Sequence, residues 1–247
     1  MITQLTPDIY RLQIPFSDIY TCIFLIRTSA GIVVYDTATY SSDIPKYLIP
    51  ALQELGAPCC VVVSHNHGDH AGGLAAFHEQ YPHVPVFAGS EACAERFGGS
   101  VKVLGHGDAI APHLTVVAIP GHTQDAIGMF DDRTNTLISG DCLQAYGIYG
   151  KGKWGTSIPY RTEHLQALDR LEQMGIGQLY TAHHYEPWGN SAVGSTAVAA
   201  YIEACRQALA DLCRYMEAHP EETPEQQAAG YAAATGLPEP PAKTMHL

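Results

Sequence analysis

The stretch that most constrains this chain is Val61-Val62-Val63-Ser64-His65-Asn66-His67-Gly68-Asp69-His70, followed at once by Ala71-Gly72-Gly73. The β-branched run predicts a buried strand, and the glycines predict a helix start soon after it. Three histidines and one aspartate therefore leave one strand end together, within six consecutive residues. Alternate residues of an extended segment point the same way, so His65 and His67 can grip one metal ion. Asp69 and His70, placed beyond a turn at Gly68, can face a second.

A chain of 247 residues with 46% hydrophobic and 15% charged residues suits a compact α/β protein with a large core. Acidic residues outnumber basic ones 25 to 13, for a formal net charge of −12. That balance opposes phosphate backbones and anionic membrane surfaces, so the expected partner is a small molecule rather than nucleic acid or membrane. The seven cysteines are scattered without a CxxC pair, as in a reduced, cytoplasmic chain. Met1 to Phe16 has no basic region followed by an apolar run, and no stretch reaches the roughly 18 apolar residues of a membrane span.

Ile9 to Ile14, Tyr20 to Arg27 and Gly31 to Asp36 read as a three-stranded meander. Apolar spacing predicts a helix over Ile44 to Leu55, then a strand over Cys59 to Val63, a helix over Leu74 to Gln80, a strand over Val84 to Ala88 and a short helix capped by Ser90. From Val101 the pattern turns to strands of a second sheet, namely Val101 to Leu104, Ala109 to Ile110, Leu114 to Ile119, Ile127 to Asp131 and Thr136 to Ser139. An amphipathic helix over Arg161 to Met174, with Leu165, Leu168 and Leu171 on one face, leads to a last strand over Gln178 to Ala182. Ser191 to Ala218 reads as an Ala-rich helix, and a further short helix over Glu225 to Ala234 precedes a Pro-rich end. The expected organisation is a catalytic domain over residues 1–190 with a C-terminal helical extension over 191–247. That extension packs on the same domain or covers a homodimer partner.

Three further strand ends offer ligands. They are Pro120-Gly121-His122 after Leu114 to Ile119, Gly140-Asp141 after Thr136 to Ser139, and His183 after Gln178 to Ala182. Each has the same build: a strand for rigidity, a small residue for the turn, and a ligand pointing off the sheet edge. Strand, turn and aspartate also recur at Val33-Val34-Tyr35-Asp36, a faint internal echo of Leu137 to Asp141.

An HxHxDH motif followed by GH(T), a GD and a late histidine resembles the metallo-β-lactamase superfamily, and the resemblance runs over roughly residues 8 to 188. It implies an αβ/βα four-layer sandwich of two mixed β-sheets flanked by helices. It also implies that His65, His67 and His122 hold one metal, that Asp69, His70 and His183 hold the other, and that Asp141 bridges them. Two divalent ions are expected, zinc first, since a nitrogen-rich mixed site suits Zn²⁺, with Fe or Mn as the alternatives. Oxygen-reducing di-iron members typically carry a carboxylate where this chain has His67, which favours the hydrolytic type.

Two ions about 3.5–4 Å apart can share a water, lower its pKa towards about 7 and present hydroxide to a carbonyl, with Asp69 as the catalytic residue that orients it. The expected activity is hydrolysis of a small ester, thioester or lactone. β-Lactam hydrolysis and an iron-dependent sulfur or oxygen oxidoreductase are the alternatives. Glyoxalase-type thioesterases usually carry basic residues for glutathione after the GD element, a pattern that Asp141-Cys142-Leu143-Gln144 does not clearly reproduce. Cys142 is expected behind the site rather than at a metal.

The segment Leu143 to Tyr160 should form a loop over the metals, with Tyr146, Tyr149 and Trp154 as pocket walls and Lys151 or Lys153 for a substrate carboxylate. Packed aromatics with solvated lysines are the equal alternative. Gly105-His106-Gly107-Asp108 reads as a hairpin turn with a solvent-facing histidine. Gly150 to Ser157 lacks the spacing of a phosphate loop. His184 should point away from its neighbour His183, and His78, His83, His113, His164, His219 and His246 are expected to be surface or core residues.

Overall fold

The computed structural model describes residues 2–148 and 154–246. They form two compact units, Met1–Ala118 with Asp125–Thr134, and Ile119–Gln124 with Asn135–Leu247.

The first unit carries a seven-stranded sheet whose order follows the chain, β1 (Ile2–Gln4), β2 (Ile9–Phe16), β3 (Ile19–Thr28), β4 (Gly31–Tyr35), β5 (Pro58–Val63), β6 (Val86–Ala88) and β7 (Val101–Val103). Its first four strands are antiparallel: residues 5–8 reverse the chain between β1 and β2, and two-residue turns at Ser17-Asp18 and Ser29-Ala30 do so for the next two pairs. From β4 onward the pairs are parallel, and each needs a crossover. The crossovers are Ile44–Leu55, then α2 (Gly68–Ala71) with α3 (Leu74–Gln80), then a 3-10 helix over Glu91–Arg96 in which Ser90 accepts from Ala92 N, as its capping role predicts.

The helix expected over Ile44 to Leu55 is present but divided into a π-helical turn, Ile44–Leu48, and α1 (Ile49–Leu55). Pro45 and Pro50 supply no N–H to the ladder, which explains the change of pitch. Ile23, Leu25, Ile32, Val34, Val61 and Val63 bury one face of the sheet against Ile44, Leu48, Leu52, Leu74 and Phe77. Each such side chain contributes roughly 1.5–3 kcal/mol of burial energy. This core makes the carboxyl ends of β4 and β5 rigid.

One assignment needs correction. Val101–Val103 does not open a second sheet; it pairs in parallel with β6 as the last strand of the first. At three residues this strand is too short to declare its sheet and takes it from its partner. The unit also holds an antiparallel ladder of β8 (Ala109–Ala111), β9 (Leu114–Ala118) and β10 (Ile127–Asp131). The turn before it is as expected, with Asp108 accepting from Gly105 N at 2.7 Å and His106 exposed.

In the second unit, β11 (Thr136–Gly140) pairs in parallel with β12 (Gln178–Tyr185), and α4 (Arg161–Gln173) lies in the crossover between them. β13 (Gly189–Val193) adds antiparallel to β12, followed by α5 (Ser195–Ala218), α6 (Pro224–Thr235) and a 3-10 turn over Ala242–Thr244. The helix expected from Ser191 therefore begins at Ser195, after a strand. Gly-Asn-Ser-Ala-Val has little intrinsic strand preference, so the ladder with β12 decides its state. α6 opens with a capping box between Thr223 and Gln226. Leu209, Leu212, Met216, Ala228, Tyr231 and Met245 bury against Ile158, so the C-terminal helices share a core with the segment that precedes α4. Among the described residues, no helix is long and apolar enough to cross a membrane.

Candidate metal centre

In the first unit the parallel register places Tyr35 opposite Val62, so the chain leaves β4 and β5 side by side. Asp36 N donates to Val62 O at 2.9 Å, and a left-handed φ of 68° turns its carboxylate toward Ser64. Its Oδ1 accepts from Ser64 N at 2.7 Å, and its Oδ2 accepts from Ser64 Oγ at 2.9 Å and lies 2.8 Å from His70 Nδ1. Ser64 Oγ also lies 3.0 Å from His65 Nδ1. The single Ser64 hydroxyl proton goes to Asp36, so the serine oxygen is the acceptor for His65 Nδ1–H. One buried carboxylate thus fixes Nδ1 of two rings, directly for His70 and through Ser64 for His65, and turns the Nε2 of each toward a neighbour, Asp69 and His67.

His65 Nε2 lies 2.9 Å from His67 Nδ1, and the rings of His65 and His70 have centroids 4.3 Å apart. The expectation that His65 and His67 share a direction is met. Gly68, by contrast, does not form a free turn. It starts α2 behind an extended His67, so Asp69 and His70 project from a helix start. Asp69 Oδ2 is 3.5 Å from His70 Nε2 and keeps 18% side-chain exposure, whereas Asp36 keeps 1%. Burial works against a charged His70, yet the Asp69 and then the Asp36 carboxylates outweigh it, and its pKa is held well above the usual histidine value. The same negative potential suits a divalent cation.

Asn66, between His65 and His67, is tied to the 3-10 helix. Arg96 donates to its side-chain oxygen at 2.5 Å and to its carbonyl at 2.8 Å, while Asn66 Nδ2 donates to Ala92 O at 3.1 Å.

The second unit builds its group from His122, Asp141 and His183. Gly140 and Thr181 are in register, so Asp141 leaves β11 beside β12. Asp141 Oδ2 lies 3.1 Å from His122 Nε2, and Oδ1 lies 3.8 Å from His183 Nε2. Asp141 Oδ1 is buried with no hydrogen-bond partner among the described residues, as an oxygen reserved for a cation would be. The two oxygens of one carboxylate facing two imidazoles is a disposition suited to bridging. His183 sits within β12 rather than after a shortened strand, where the β12–β13 register is interrupted between Tyr180 and Tyr185. It is 2% exposed, while His184 is exposed and lies 3.3 Å from Glu186, so the two neighbours point apart as alternation requires.

Two residues that the sequence did not single out hold His122. Its Nδ1 donates to Ser157 O at 2.7 Å, leaving Nε2 toward Asp141. Gln144 locks that acceptor, since its Oε1 accepts from Ser157 N at 2.7 Å and its Nε2 donates to Asp141 O at 3.1 Å. His164 supports the turn on the other side, donating from Nδ1 to Pro120 O at 3.2 Å. A Cβ on Gly121, whose φ is +151°, would lie 2.3 Å from that ring nitrogen, so only glycine admits the approach. Burial lowers the His164 pKa to about 4, so the ring is neutral. His164, Ala167, Leu168 and Leu171 form the buried face of α4; the expected stripe is rotated by one position, with Leu165 only half-buried.

Cys142 is fully buried. Tyr146 is half-buried, with a phenol pKa raised by burial and then by Asp211, Cys205 and Glu203. Trp154 is 49% exposed, and its backbone pairs with Ile148. Tyr149, Lys151 and Lys153 lie outside the described residues.

Mixed sheets flanked by helices, with imidazoles and carboxylates at parallel strand ends, define an α/β protein of the metal-binding class. The model of the metallo-beta-lactamase superfamily matches residues 20–183, and the chain belongs to that superfamily.

A hydroxyacylglutathione hydrolase of Cupriavidus taiwanensis is 32% identical over 157 residues, which cover 59% of this chain and 56% of that protein. A second protein of that name, from Xanthomonas euvesicatoria, is 29% identical, with 66% of this chain and 59% of the relative covered. The chain thus spans under two thirds of the length of these relatives. Among solved structures, the metallo-beta-lactamase FIM-1 from Pseudomonas aeruginosa in its mono-zinc form aligns with a TM-score of 0.64 at 17% identity, covering 84% of this chain and 95% of that one. The rubredoxin oxygen:oxidoreductase of Desulfovibrio gigas aligns with a TM-score of 0.67 at 16% identity, covering 84% and 61%. At such identities these likenesses concern the fold.

Proposed function

We propose that the chain is a metal-dependent hydrolase of small thioesters, esters or lactones, with His65, His67 and His122 holding one divalent cation, Asp69, His70 and His183 a second, and Asp141 shared between them. The observation that carries this reading is the common anchoring of His65, His70 and His122. Each has Nδ1 engaged by a protein oxygen, which turns Nε2 toward another proposed ligand, His67, Asp69 or Asp141. When bound, such cations act as Lewis acids on a carbonyl and lower the pKa of water. Zinc is the proposed metal, because the donor set is five imidazoles and two carboxylates.

Asp69 is the partly exposed carboxylate of the set, suited to accept a proton from an attacking water and to hold it toward the substrate. Asp36 is too buried for that task and serves to orient His70. The Asn66 to Arg96 contacts keep His65 and His67 from drifting apart. Trp154 and Tyr146 are proposed as substrate contacts, as are Tyr149 and Lys153, which lie outside the described residues.

The names of the relatives favour the thioester arm. Cys142, Leu143 and Gln144 are buried and offer no basic group for a glutathione carboxylate, so thiols other than glutathione belong in the test. None of the seven cysteines is joined in a disulfide, which suits a reducing compartment, and we propose the cytoplasm as its location.

Zinc-loaded protein assayed on hydroxyacyl thioesters of glutathione and of other thiols, on aryl esters and on lactones should hydrolyse thioesters fastest and lose all turnover on chelation. Failure of both zinc- and manganese-loaded protein on the whole panel would overturn the assignment.

A further inference from the structure

The C-terminal strap, Leu237–His246, has no role in the reading above, yet its contacts converge on the segment that orients His122. Gly155 N donates to Glu239 O at 3.2 Å. A Cβ on Gly155 would lie 2.4 Å from the carbonyl of Glu239 and from Pro240 N, so strap and segment are in backbone contact. Two residues on, Ser157 provides the carbonyl for His122 Nδ1 and the N–H for Gln144. Ile158 is buried against Met245 and the C-terminal helices.

Arg161 then fastens the end of the strap, its guanidinium donating to Thr244 O at 2.5 Å and to His246 O. Pro238, Pro240, Thr244 and Met245 are buried, so the strap is packed rather than trailing. Prolines fix φ and lower the entropy lost on ordering, as suits a brace.

We infer that the strap is a positioning element for His122: it braces Gly155–Ile158, and that segment's carbonyl aims the imidazole. The inference rests on the proposed metal site for its functional meaning, but the mechanical link is confined to the chain's own residues. Disturbing the strap should loosen the Ser157–His122 bond in particular, whereas a general loss of stability elsewhere in the C-terminal region should not.

The experiment compares Gly155→Ala, which pushes the strap away, and Arg161→Met, which unfastens its end, with Thr223→Ala. The last removes the α6 capping box for about 1 kcal/mol of stability without touching the strap. Three quantities are read on full-length protein: zinc retention against a chelator, amide exchange at Ser157, and the nitrogen resonance of His122 Nδ1. Gly155→Ala and Arg161→Met should weaken zinc retention about tenfold, the lower end for loss of an outer hydrogen-bond partner, speed Ser157 exchange and shift the His122 signal. Thr223→Ala should lower the melting temperature and leave all three within twofold.

Unchanged Ser157 exchange and His122 resonance in both strap variants would overturn the inference, as would equal changes in Thr223→Ala. If the unaltered protein retained no zinc, the proposed function would fall, while Ser157 exchange and the His122 resonance would still decide the strap.

Discussion

The two units build ligand groups with one device and fix them by different means. In each, a parallel strand pair ends in register and releases an aspartate beside a histidine-bearing segment: Asp36 beside Ser64 and His65 in the first, Asp141 beside the strand that carries His183 in the second. In the first the aspartate is buried behind the candidate ligands and orients His70 through a charge-assisted hydrogen bond and His65 through the Ser64 hydroxyl. In the second the aspartate is itself the proposed ligand, and orientation of His122 falls to neutral groups, the Ser157 carbonyl and the Gln144 amide. The same strand-end geometry can therefore make an aspartate either the support or the ligand. Which it becomes depends on whether its oxygens are already satisfied, as those of Asp36 are and Asp141 Oδ1 is not.

The comparison predicts unequal costs, since charge-assisted hydrogen bonds are roughly twice as strong as neutral ones. Asp36→Asn keeps the shape and tolerates the left-handed backbone but removes the anion behind both rings. It should lower zinc retention and turnover by about 10- to 100-fold, measured by chelator competition and initial rates. Gln144→Leu should have a smaller effect, roughly fivefold on zinc retention, together with a lower melting temperature from the unsatisfied Ser157 N–H and Asp141 carbonyl. A larger loss in Gln144→Leu than in Asp36→Asn would break the ranking.

The smallest effect concerns stability alone. With His164 at about 4 in the fold and near 6.5 when unfolded, the unfolded chain binds the extra proton between those values. Stability should thus fall as pH drops through that window, by about 1.4 kcal/mol per pH unit, and be unaffected by this residue above it. Metal-free His164→Phe, compared with the parent by urea unfolding at pH 7 and pH 5, should lack that slope; an unchanged slope would remove His164 from the account.

These differences also mark what could be read from the residues alone. The first group lies within His65 to His70, and its strand is a β-branched run, so candidate ligands and their place in the fold were legible together. Asp36 was visible as a strand-end aspartate, but its task depends on parallel register with β5, which no local pattern encodes. In the second unit the candidate ligands could be picked out as strand-end residues. Their supports could not, because Ser157 acts through a backbone carbonyl, common to every residue, and Gln144 meets it from 13 positions away in the sequence. His164 was expected to be a bland histidine and is indeed packed, yet its packing against Gly121 is what holds the turn before His122. β13 and β7 escaped or were misplaced for a related reason: short strands take their state from the partner strand.

The most direct test of the two-group account is metal stoichiometry before and after removing one ligand. Protein stripped with chelator and reloaded with zinc should retain two ions per chain, and Asp69→Ala should retain one, held by His65, His67 and His122, with turnover reduced by at least about a hundredfold. Two ions and undiminished turnover in Asp69→Ala, or no retained zinc in the parent, would contradict it.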